Sequence, residues 1–549
     1  MRTKVLLICL LSCFIFPDQL IAQWLNPNDE FFKDYYRRSQ LLGDLSIRNS
    51  FSIFPMDLEF SESIEDLYSP LRLGDENDLS FTSSRYSLLG REAELKILPF
   101  QFGFQYNSHH PEGINDGAMY PTKGIQLFST GGFVFEWGTL EIKFQPEVIY
   151  ATNKNFEGFQ FVYNGSFYES PYNTLIDLPE RFGVDPFTKS TLGQSSIRLN
   201  VGSVSFGLSN ENLWWGPGMR NSLIMTNTAP GFMHFTFNSR KAISTLLGSF
   251  EWQLIFGKLN GSKRIQGLRN EWRYINGLVI TYQPKWIPGL FLGLTRTFTV
   301  YNDDLGNSLN DLLPVVIPFG KKAAGGGNED SKGRDQIASV FFRWLFPESH
   351  LEIYAEYGRE DHAWNTRDLI VQPNHTEAYI FGFRKLLPLK RSEFLSLLVE
   401  LTHLEANPVT INRNGGSWYE HGSVEHGYTH EGQMLGAGIG PGSNLQTLDV
   451  SWVKQMSVVG VRFERYVHNN DFWYRAVKDI RANWVDLSIT PYAYIPYKNF
   501  VIGMKMKFVK SFNYQWVYEP KLGDDSYFWE GEGWDVFNFQ AKLNITYRF

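Results

Sequence analysis

The chain has 549 residues, of which 43% are hydrophobic and 16% aromatic, and its formal net charge is −7 at pH 7. This mild acidity argues against a nucleic-acid partner, because such partners select a basic surface. The two cysteines, Cys9 and Cys13, both lie in a segment predicted to be removed, so the mature chain is expected to contain no disulfide, thiolate nucleophile or cysteine-ligated zinc.

Residues 1–22 are predicted to be a cleaved secretory signal. A short basic start precedes an apolar region over residues 5–16, which is too short to cross a bilayer, since a crossing takes about 20 residues. Cleavage is expected after Ala22. A lipoprotein signal at Cys13 is the alternative, although the residues around it fit a lipobox poorly.

Residues 23–92 are predicted to form an N-terminal helical segment on the periplasmic side. The first helix is expected over residues 28–42, with an asparagine or aspartate cap at its start and Gly43 at its end. A second, shorter helix is expected over residues 61–68, ahead of a proline. We expect this segment to plug or cap one mouth of a barrel, with a mobile periplasmic tail as the alternative.

From residue 93 the hydrophobic pattern has a period of two. Over residues 140–150, for example, apolar and polar residues alternate, which in a strand gives one apolar and one polar face. No apolar run approaches 18 residues, so no transmembrane helix is expected. Residues 93–549 are therefore predicted to form an all-β membrane protein, an antiparallel transmembrane β-barrel of about 18 strands in contact with outer-membrane lipid. A secreted, soluble β-rich protein is the alternative.

The last predicted strand, residues 537–549, alternates strictly as far as Phe549. A terminal aromatic residue on such a strand resembles the C-terminal assembly signal of bacterial outer-membrane barrels. The barrel-assembly machinery is therefore an expected partner during insertion, and the expected location is the bacterial outer membrane. Deletion of Phe549 is expected to lower the amount of protein that reaches that membrane.

Long connections are expected on the extracellular side and short turns on the periplasmic side. These long connections are expected over residues 156–191, 262–272, 303–334 and 406–444.

Residues 209–231 are predicted to follow the end of a strand and run into a turn. This stretch places Trp214 and Trp215 before a Gly-Pro-Gly turn in a run rich in asparagine. Indole faces beside amides and charges suit a sugar, whose C–H faces stack and whose hydroxyl groups form hydrogen bonds. The alternative is that the tryptophans anchor the membrane interface or pack a loop.

Two further blocks hold polar clusters. Residues 107–119 combine amides, two histidines and an aspartate around glycines. Residues 356–362 follow a strand directly and contain four charged residues that are expected to lie close together: Glu356, Arg359, Glu360 and Asp361.

A third block, residues 420–431, invites a metal interpretation. His421, His426 and His430 are possible zinc ligands, but their spacing matches no HExxH helix and the glycines among them disfavour a helix. A hydrogen-bonded polar loop is favoured over a metal site, and no cofactor is predicted. No GxSxG elbow is present, so a dispersed hydrolase site has no support from a motif.

The chain resembles the Wzi capsule-assembly family. The resemblance spans nearly all of the mature chain, with its most specific block around the paired tryptophans, and it is carried by the blocks YRRSQLLG, NSHHPEGINDGAMYPTKG, SNENLWWGPGMRNSLIMTNTAPGF, GRDQ, IYAEYGREDH and YEHGSVEHGYTHEGQMLGAGIGPGSN. It implies an outer-membrane barrel of 18 strands with a periplasmic helical bundle at the N-terminus. It also implies a lectin-like role without turnover, in which the protein anchors or organises exported capsular or extracellular polysaccharide at the cell surface.

Two other functions stay open, a porin or exopolysaccharide conduit and an outer-membrane hydrolase. A conduit needs an open lumen, whereas the aromatic residues and the helical N-terminal segment indicate obstruction. The residues predicted to contact polysaccharide are polar, charged and aromatic side chains of the loop blocks: Asn210, Glu211, Asn212, Trp214, Trp215, Arg220, Asn221, Asn115, Asp116, Glu356, Arg359, Asp361 and His362.

Overall fold

The computed structural model describes residues 23–25, 30–43, 45, 48–58, 85–88, 93–159, 161–163, 166–168, 170–172, 175–265, 267–316, 333–360, 366–372, 374–390, 392–407, 416–479, 481–518 and 535–547. Within these residues the chain forms a closed antiparallel barrel of 18 strands, β1 to β18. The predicted fold class is therefore confirmed. Residues 1–22 lie outside the described residues, and the cleaved signal stays a prediction.

The first nine barrel strands are β1 Ala93–Asn107, β2 Gly124–Trp137, β3 Leu140–Phe144 with Glu147–Ala151, β4 Phe187–Thr191 with Ser196–Val201, β5 Val204–Ser209, β6 His234–Ser239 with Ile243–Ser244, β7 Gly248–Leu259, β8 Arg273–Pro284 and β9 Leu290–Tyr301. The other nine are β10 Asp335–Phe346, β11 Leu351–Glu360, β12 Glu377–Pro388, β13 Glu393–His403, β14 Asn444–Lys454, β15 Ser457–Val467, β16 Val485–Tyr497, β17 Phe500–Phe512 and β18 Val536–Tyr547.

Each strand pairs with its neighbour in sequence, and β18 pairs with β1 to close the barrel. The closing register joins Gln540 to Asn107 and Tyr547 to Phe100. Pro146 separates the two halves of β3, as expected for a residue that cannot donate to a ladder. Arg85–Leu88 adds a short strand on the first residues of β1. Closure leaves the barrel strands without free edges.

The two ends of the barrel differ in the length of their connections. Turns of a few residues follow each even-numbered strand from β2 to β16, whereas longer connections follow each odd-numbered strand. The chain enters β1 and leaves β18 at the short-turn end. By the usual arrangement of such barrels, the short turns are periplasmic and the long loops extracellular.

The outer face of the barrel is apolar. Large side chains such as Ile197 (54% exposed) and Phe235 (62% exposed) point away from the lumen. The side chains that alternate with them along the same strands are largely buried. An apolar band on the outside and charged residues inside fit lipid around the barrel. None of the helices in the described part of the chain has the length and hydrophobicity needed to cross a membrane.

The N-terminal segment contains helix α1, Glu30–Leu42, which ends at Gly43 with a φ of 86°. The prediction of a helix here is confirmed, although residues 28 and 29, its expected caps, lie outside the described residues. Short helices also occur at Leu309–Leu312, Thr366–Val371 and Asn470–Phe472. The predicted helix at residues 61–68 and the terminal Phe549 lie outside the described residues, so both stay predictions.

Helix α1 lies inside the lumen, near the short-turn end. Nε of Arg37 donates to both carboxylate oxygens of Glu352 in β11 at 3.1 Å. Asp34 pairs with Arg384 in β12, and the ring of Phe31 stacks on Tyr494 in β16 with centroids 5.1 Å apart. Because partners surround the helix, both apolar and charged faces are buried. This explains why its apolar stripe is irregular in the sequence.

The middle of the lumen is filled by a packed core. It consists of buried apolar residues from the 210–233 connection, the 404–443 connection and the inward faces of the strands. Trp215, Trp418 and Tyr419 are each 0% exposed. Two long loops therefore fold into the barrel instead of projecting away from it.

Candidate functional site

The 210–233 connection, which follows β5, is held at its base by a buried carboxylate. Glu211 accepts from Nζ of Lys143 at 3.0 Å and from Nη2 of Arg198 at 2.6 Å. Burial opposes ionisation, but these two cations outweigh it and lower the pKa of Glu211 to about 2. Glu211 thus carries a charge that is satisfied within the protein.

The amides next to Glu211 are also used internally. Asn210 donates to the carbonyl of Gly193 at 3.1 Å. Asn212 accepts from Nε2 of Gln194 at 2.7 Å and donates to the carbonyl of Ala229 at 2.8 Å. All three predicted contact residues in this stretch therefore attach the connection to the barrel wall or to itself.

The paired tryptophans lie inside the lumen. Trp214 and Trp215 form a short ladder with Phe54 and Ile53 of the N-terminal segment. Trp215 is 0% exposed and donates from Nε1 to Gln253 at 2.8 Å. A Cβ at position 277 would come within 2.8 Å of this indole, so β8 carries a glycine there. This arrangement matches the packed-loop alternative for Trp215.

Trp214 is 2% exposed, and it joins two elements. Nζ of Lys33 in α1 lies 3.5 Å from the centroid of its ring, a cation–π contact. Burial is the main cause that lowers the pKa of Lys33 to about 7, and the nearby Arg37 adds to it.

The turn after the tryptophans wraps around a carboxylate of β13. Glu400 accepts from the backbone amides of Met219 at 2.7 Å and Asn221 at 2.9 Å, and from the hydroxyl of Tyr354 at 2.8 Å. The side-chain amide of Asn221 donates to the hydroxyl of Thr402 at 3.1 Å. Asn221 is buried and serves this turn.

The block at the end of β11 does not form the single cluster that the sequence suggested. Glu356 is 1% exposed and faces the lumen, where it accepts from Ser339 at 2.7 Å and from the amide of Leu223 at 3.1 Å. Arg359 lies three residues after Glu356 in the same strand. Because side chains alternate between the two faces of a strand, the side chain of Arg359 lies on the opposite face. The expectation that Arg359 and Glu356 lie together is therefore wrong. Asp361 and His362 lie outside the described residues.

The connection after β1, residues 108–123, also folds inward and meets the 210–233 connection. Asn115 has a positive φ of 60°, which asparagine tolerates better than most residues. Its amide donates to the carbonyl of Arg220 at 2.7 Å. Asp116 accepts from Nζ of Lys542 in β18 at 2.7 Å.

These parts enclose a chamber of about 200 Å³. Its walls come from the start of α1, the two inward connections, and strands β1 and β15 to β18. Several of the charged strand residues that line it, among them Arg462, Lys505 and Lys542, lie near the middle of their strands. We call this space the lumen chamber.

The lumen chamber is rich in paired charges. Its basic residues are Lys33, Arg220, Arg462, Lys505, Lys507 and Lys542, and its acidic residues are Glu30, Glu112, Asp116 and Glu464. Arg220 contacts Glu464 at 2.8 Å, Lys505 contacts Glu30 at 2.5 Å, and Lys507 pairs with Glu112. Aromatic faces from Phe31, Trp214 and Tyr494 complete the lining. The chamber thus offers charged groups, amides and ring faces in one space.

Among the predicted contact residues, the chamber is lined by Asn115, Asp116, Trp214 and Arg220. Sequence reasoning missed the strand residues Arg462, Glu464, Lys505, Lys507 and Lys542. Strand alternation places each of these side chains on the inward face, which is the signal that was available. Strand alternation alone does not show which of the many inward-facing residues line the same chamber.

The three histidines of the 420–431 block take separate partners. His426 contacts the hydroxyl of Tyr301 at 2.7 Å, and His430 accepts from the amide of Asn260 at 3.1 Å. His421 accepts from the amide of Val424 at 3.2 Å. The polar-loop interpretation is in keeping with these contacts.

Comparison with known proteins identifies relatives. The family described as "Capsule assembly protein Wzi" matches residues 114–474. Among solved structures, the Escherichia coli outer-membrane protein Wzi, described as involved in group 1 capsule assembly and as a carbohydrate-binding β-barrel, is 14% identical, with a TM-score of 0.57 over 96% of this chain and 100% of that chain.

Two other solved structures are similar at lower TM-scores. Pseudomonas aeruginosa OccD3 (OpdP) is 9% identical, with a TM-score of 0.40 over 83% of this chain and 91% of that chain. Acinetobacter baumannii OccAB4 is 9% identical, with a TM-score of 0.39 over 83% of this chain and 98% of that chain. No curated protein matches the sequence.

Proposed function

The chain belongs to the capsule assembly protein Wzi family, and from that premise we propose that it is a lectin-like protein of the outer membrane that binds exported capsular or extracellular polysaccharide without turnover. In this account the barrel stands in outer-membrane lipid after insertion by the barrel-assembly machinery. The bound polymer is anchored or organised at the cell surface.

The lumen chamber is the observation that carries the proposal. Saccharides are recognised by hydroxyl-binding charged groups and by aromatic faces, and the chamber combines both. Three of its cations, Arg220, Lys505 and Lys542, are each engaged by a carboxylate of the protein. A carboxylate of an acidic sugar can replace one of these partners in a charge-assisted hydrogen bond. The chamber therefore suits an acidic or neutral sugar with several hydroxyl groups.

The volume limits how much of a polymer enters. At about 200 Å³, the chamber is smaller than the roughly 300–1,000 Å³ of sites that hold drug-sized ligands. We therefore assign it to one sugar residue at an end or a branch of a polysaccharide.

Binding is favoured over transport because the lumen core lies beyond the chamber. Trp215, Trp418 and Tyr419 are buried there with residues from the barrel wall. A conduit for a polymer would require the 210–233 and 404–443 connections to leave the lumen. The core therefore supports a binding protein in preference to an open pore.

Binding is also favoured over hydrolysis. A general acid at neutral pH needs a carboxyl group with a raised pKa. Burial favours the neutral form of Glu30, but Lys505 and Arg462 outweigh it and hold the pKa of Glu30 well below its usual range. Two other carboxylates of the chamber, Asp116 and Glu112, form ion pairs with Lys542 and Lys507.

The test uses purified, tag-free protein in detergent micelles and in planar bilayers. We expect saturable binding of the acidic polysaccharide made by the source strain, no release of reducing ends, and single-channel conductance far below that of an open 18-stranded porin. Stable large conductance without saccharide binding would favour the conduit. Polysaccharide shortening during incubation would favour a hydrolase.

A further inference from the structure

A compact group of metal-binding side chains lies where the 108–123 connection meets β16. One ring nitrogen of His110 and one carboxylate oxygen each of Glu112 and Asp486 all lie within 4.8 Å of one another. His110 and Asp486 are each 4% exposed. The group is distinct from the residues 420–431 that the sequence analysis considered for zinc.

The imidazole of His110 gives an independent reason to look for a ligand. Its Nδ1 lies 3.1 Å from Nδ1 of His109. Within the described parts of the chain, its buried Nε2 has no hydrogen-bond partner. An imidazole with a buried, unpartnered nitrogen is expected to find a partner.

Neighbouring side chains hold the two carboxylates in place. Asp486 lies 2.8 Å from Nε2 of His468 and accepts from Nε1 of Trp484 at 2.9 Å. Lys507 contacts one oxygen of Glu112. Each carboxylate oxygen has a further lone pair, so these contacts orient the group and leave it able to bind a cation.

We propose that His110, Glu112 and Asp486 bind a divalent transition-metal ion of the Zn²⁺ class, with water as the remaining ligand. One imidazole and two carboxylates suit zinc, whereas Ca²⁺ and Mg²⁺ prefer oxygen ligands alone. Bond lengths of about 2.0–2.2 Å bring ligand atoms closer together than the 4.8 Å limit. A small contraction of the connection toward β16 therefore completes the site.

The metal would fasten the 108–123 connection to the barrel wall. Glu112 both belongs to the metal group and lines the lumen chamber, whose Asp116 lies four residues further along. The ion would thus fix the position of one wall of the chamber. Binding of the ion depends on His110, Glu112 and Asp486, so a measurement of Zn²⁺ binding is independent of a measurement of saccharide binding.

The experiment titrates ZnCl₂ into metal-stripped, tag-free protein in detergent at pH 7.5, by isothermal calorimetry and by the temperature at which the folded band is lost on a gel. We expect one equivalent of Zn²⁺ to bind and to raise that temperature, with no such effect of CaCl₂ or MgCl₂. Co²⁺ should give the visible absorption of a low-coordinate site with nitrogen and oxygen ligands.

Two ligand variants and one control complete the test. His110→Gln and Asp486→Asn should each weaken Zn²⁺ binding by at least about tenfold, since even changes next to metal ligands have effects of that size. His426→Gln changes a buried histidine of another connection and should leave Zn²⁺ binding intact. The proposal is overturned if wild-type protein binds no Zn²⁺, or if folded His110→Gln protein binds it as tightly as wild type. Should Asp486→Asn fail to fold, His110→Gln alone decides.

Discussion

Lys33 and Trp214 join the N-terminal helix to the lumen chamber: Nζ of Lys33 lies 3.5 Å from the centroid of the indole ring. Both side chains are buried and both line the chamber. The two residues are far apart in sequence, and the contact forms only because α1 and the 210–233 connection enter the lumen from opposite ends. This cation–π contact is therefore one of the contacts that couple helix docking to the shape of the chamber.

The first prediction separates the two tryptophans. Trp215→Ala removes a 0% exposed indole from the lumen core and should destabilise the folded protein by about 3–5 kcal/mol. Saccharide affinity per folded molecule should not change, because Trp215 does not line the chamber. Trp286→Ala is the control, since that side chain is 66% exposed. Thermal unfolding followed by a binding isotherm on one preparation measures both quantities, and a loss of affinity in folded Trp215→Ala protein would contradict the assignment.

A second prediction concerns the attachment of α1. Arg37→Ala leaves the buried carboxylate of Glu352 with one guanidinium fewer and should weaken helix docking by about 3–5 kcal/mol. The barrel strands should be unaffected. Hydrogen exchange of the α1 amides measures the effect. Arg269→Ala, in a partly exposed pair with Glu271, should leave α1 protection unchanged, and equal exchange in the Arg37 variant and wild type would argue against this anchor.

The third prediction is a pH dependence. Burial favours the neutral form of Asp34, but Arg384 and Arg38 outweigh it and lower its pKa to about 2. A lowered folded pKa gives stability that is complete above the unfolded value of about 3.9 and is lost as pH falls toward 2. The α1 protection factor should therefore stay level from pH 7 to 5 and decline below pH 4.

Asp34→Asn is the matched variant for this titration. It should dock α1 less tightly than wild type by about 2 kcal/mol at pH 7. The difference should narrow as pH falls toward 2, because wild-type Asp34 then becomes neutral as well. A difference that is the same at pH 3 and pH 7 would show that the carboxylate charge is not responsible.

A fourth prediction concerns obstruction of the lumen. From the sequence, deletion of residues 23–92 is expected to raise conductance, because it removes a plug. The structure changes the expected result, since Trp418, Tyr419 and their neighbours fill the lumen independently of α1. Deletion should therefore raise conductance only slightly. Further removal of both residues 211–232 and residues 416–440 should open the pore, because both connections build the lumen core. A large conductance from the first deletion alone would contradict the role given to the lumen core.

Sequence reasoning predicted the barrel well, for a physical reason. In a strand with lipid on one side and charged groups on the other, apolar and polar residues must alternate. The alternation over residues 140–150 therefore predicts a strand. The same rule could have separated Glu356 from Arg359, because residues an odd number apart face opposite ways in a strand. Treating that block as a loop cluster produced the error.

The inward course of the long connections was harder to foresee. Val424, Tyr428 and Leu435 are apolar residues in a block that also contains histidines and glutamates, and they are all buried. Their spacing has no strand or helix period, because they pack as an irregular loop against the barrel wall. Which strand residues meet such a loop depends on the closed barrel, so Lys505 and Lys542 could not be assigned to the chamber from sequence.

The most direct test of the central claim is the affinity of chamber variants for acidic polysaccharide. Lys505→Met and Lys542→Met each remove one cation from the lumen chamber, while Lys154→Met removes an exposed one from a long connection. Isothermal calorimetry on tag-free, heat-modifiable protein compares them with wild type. We predict that each chamber variant binds about tenfold more weakly or worse, as expected for a lost charge-assisted hydrogen bond, and that Lys154→Met binds normally. Unchanged affinity in both chamber variants, with reduced affinity in Lys154→Met, would contradict the account and place the saccharide on the loop surface.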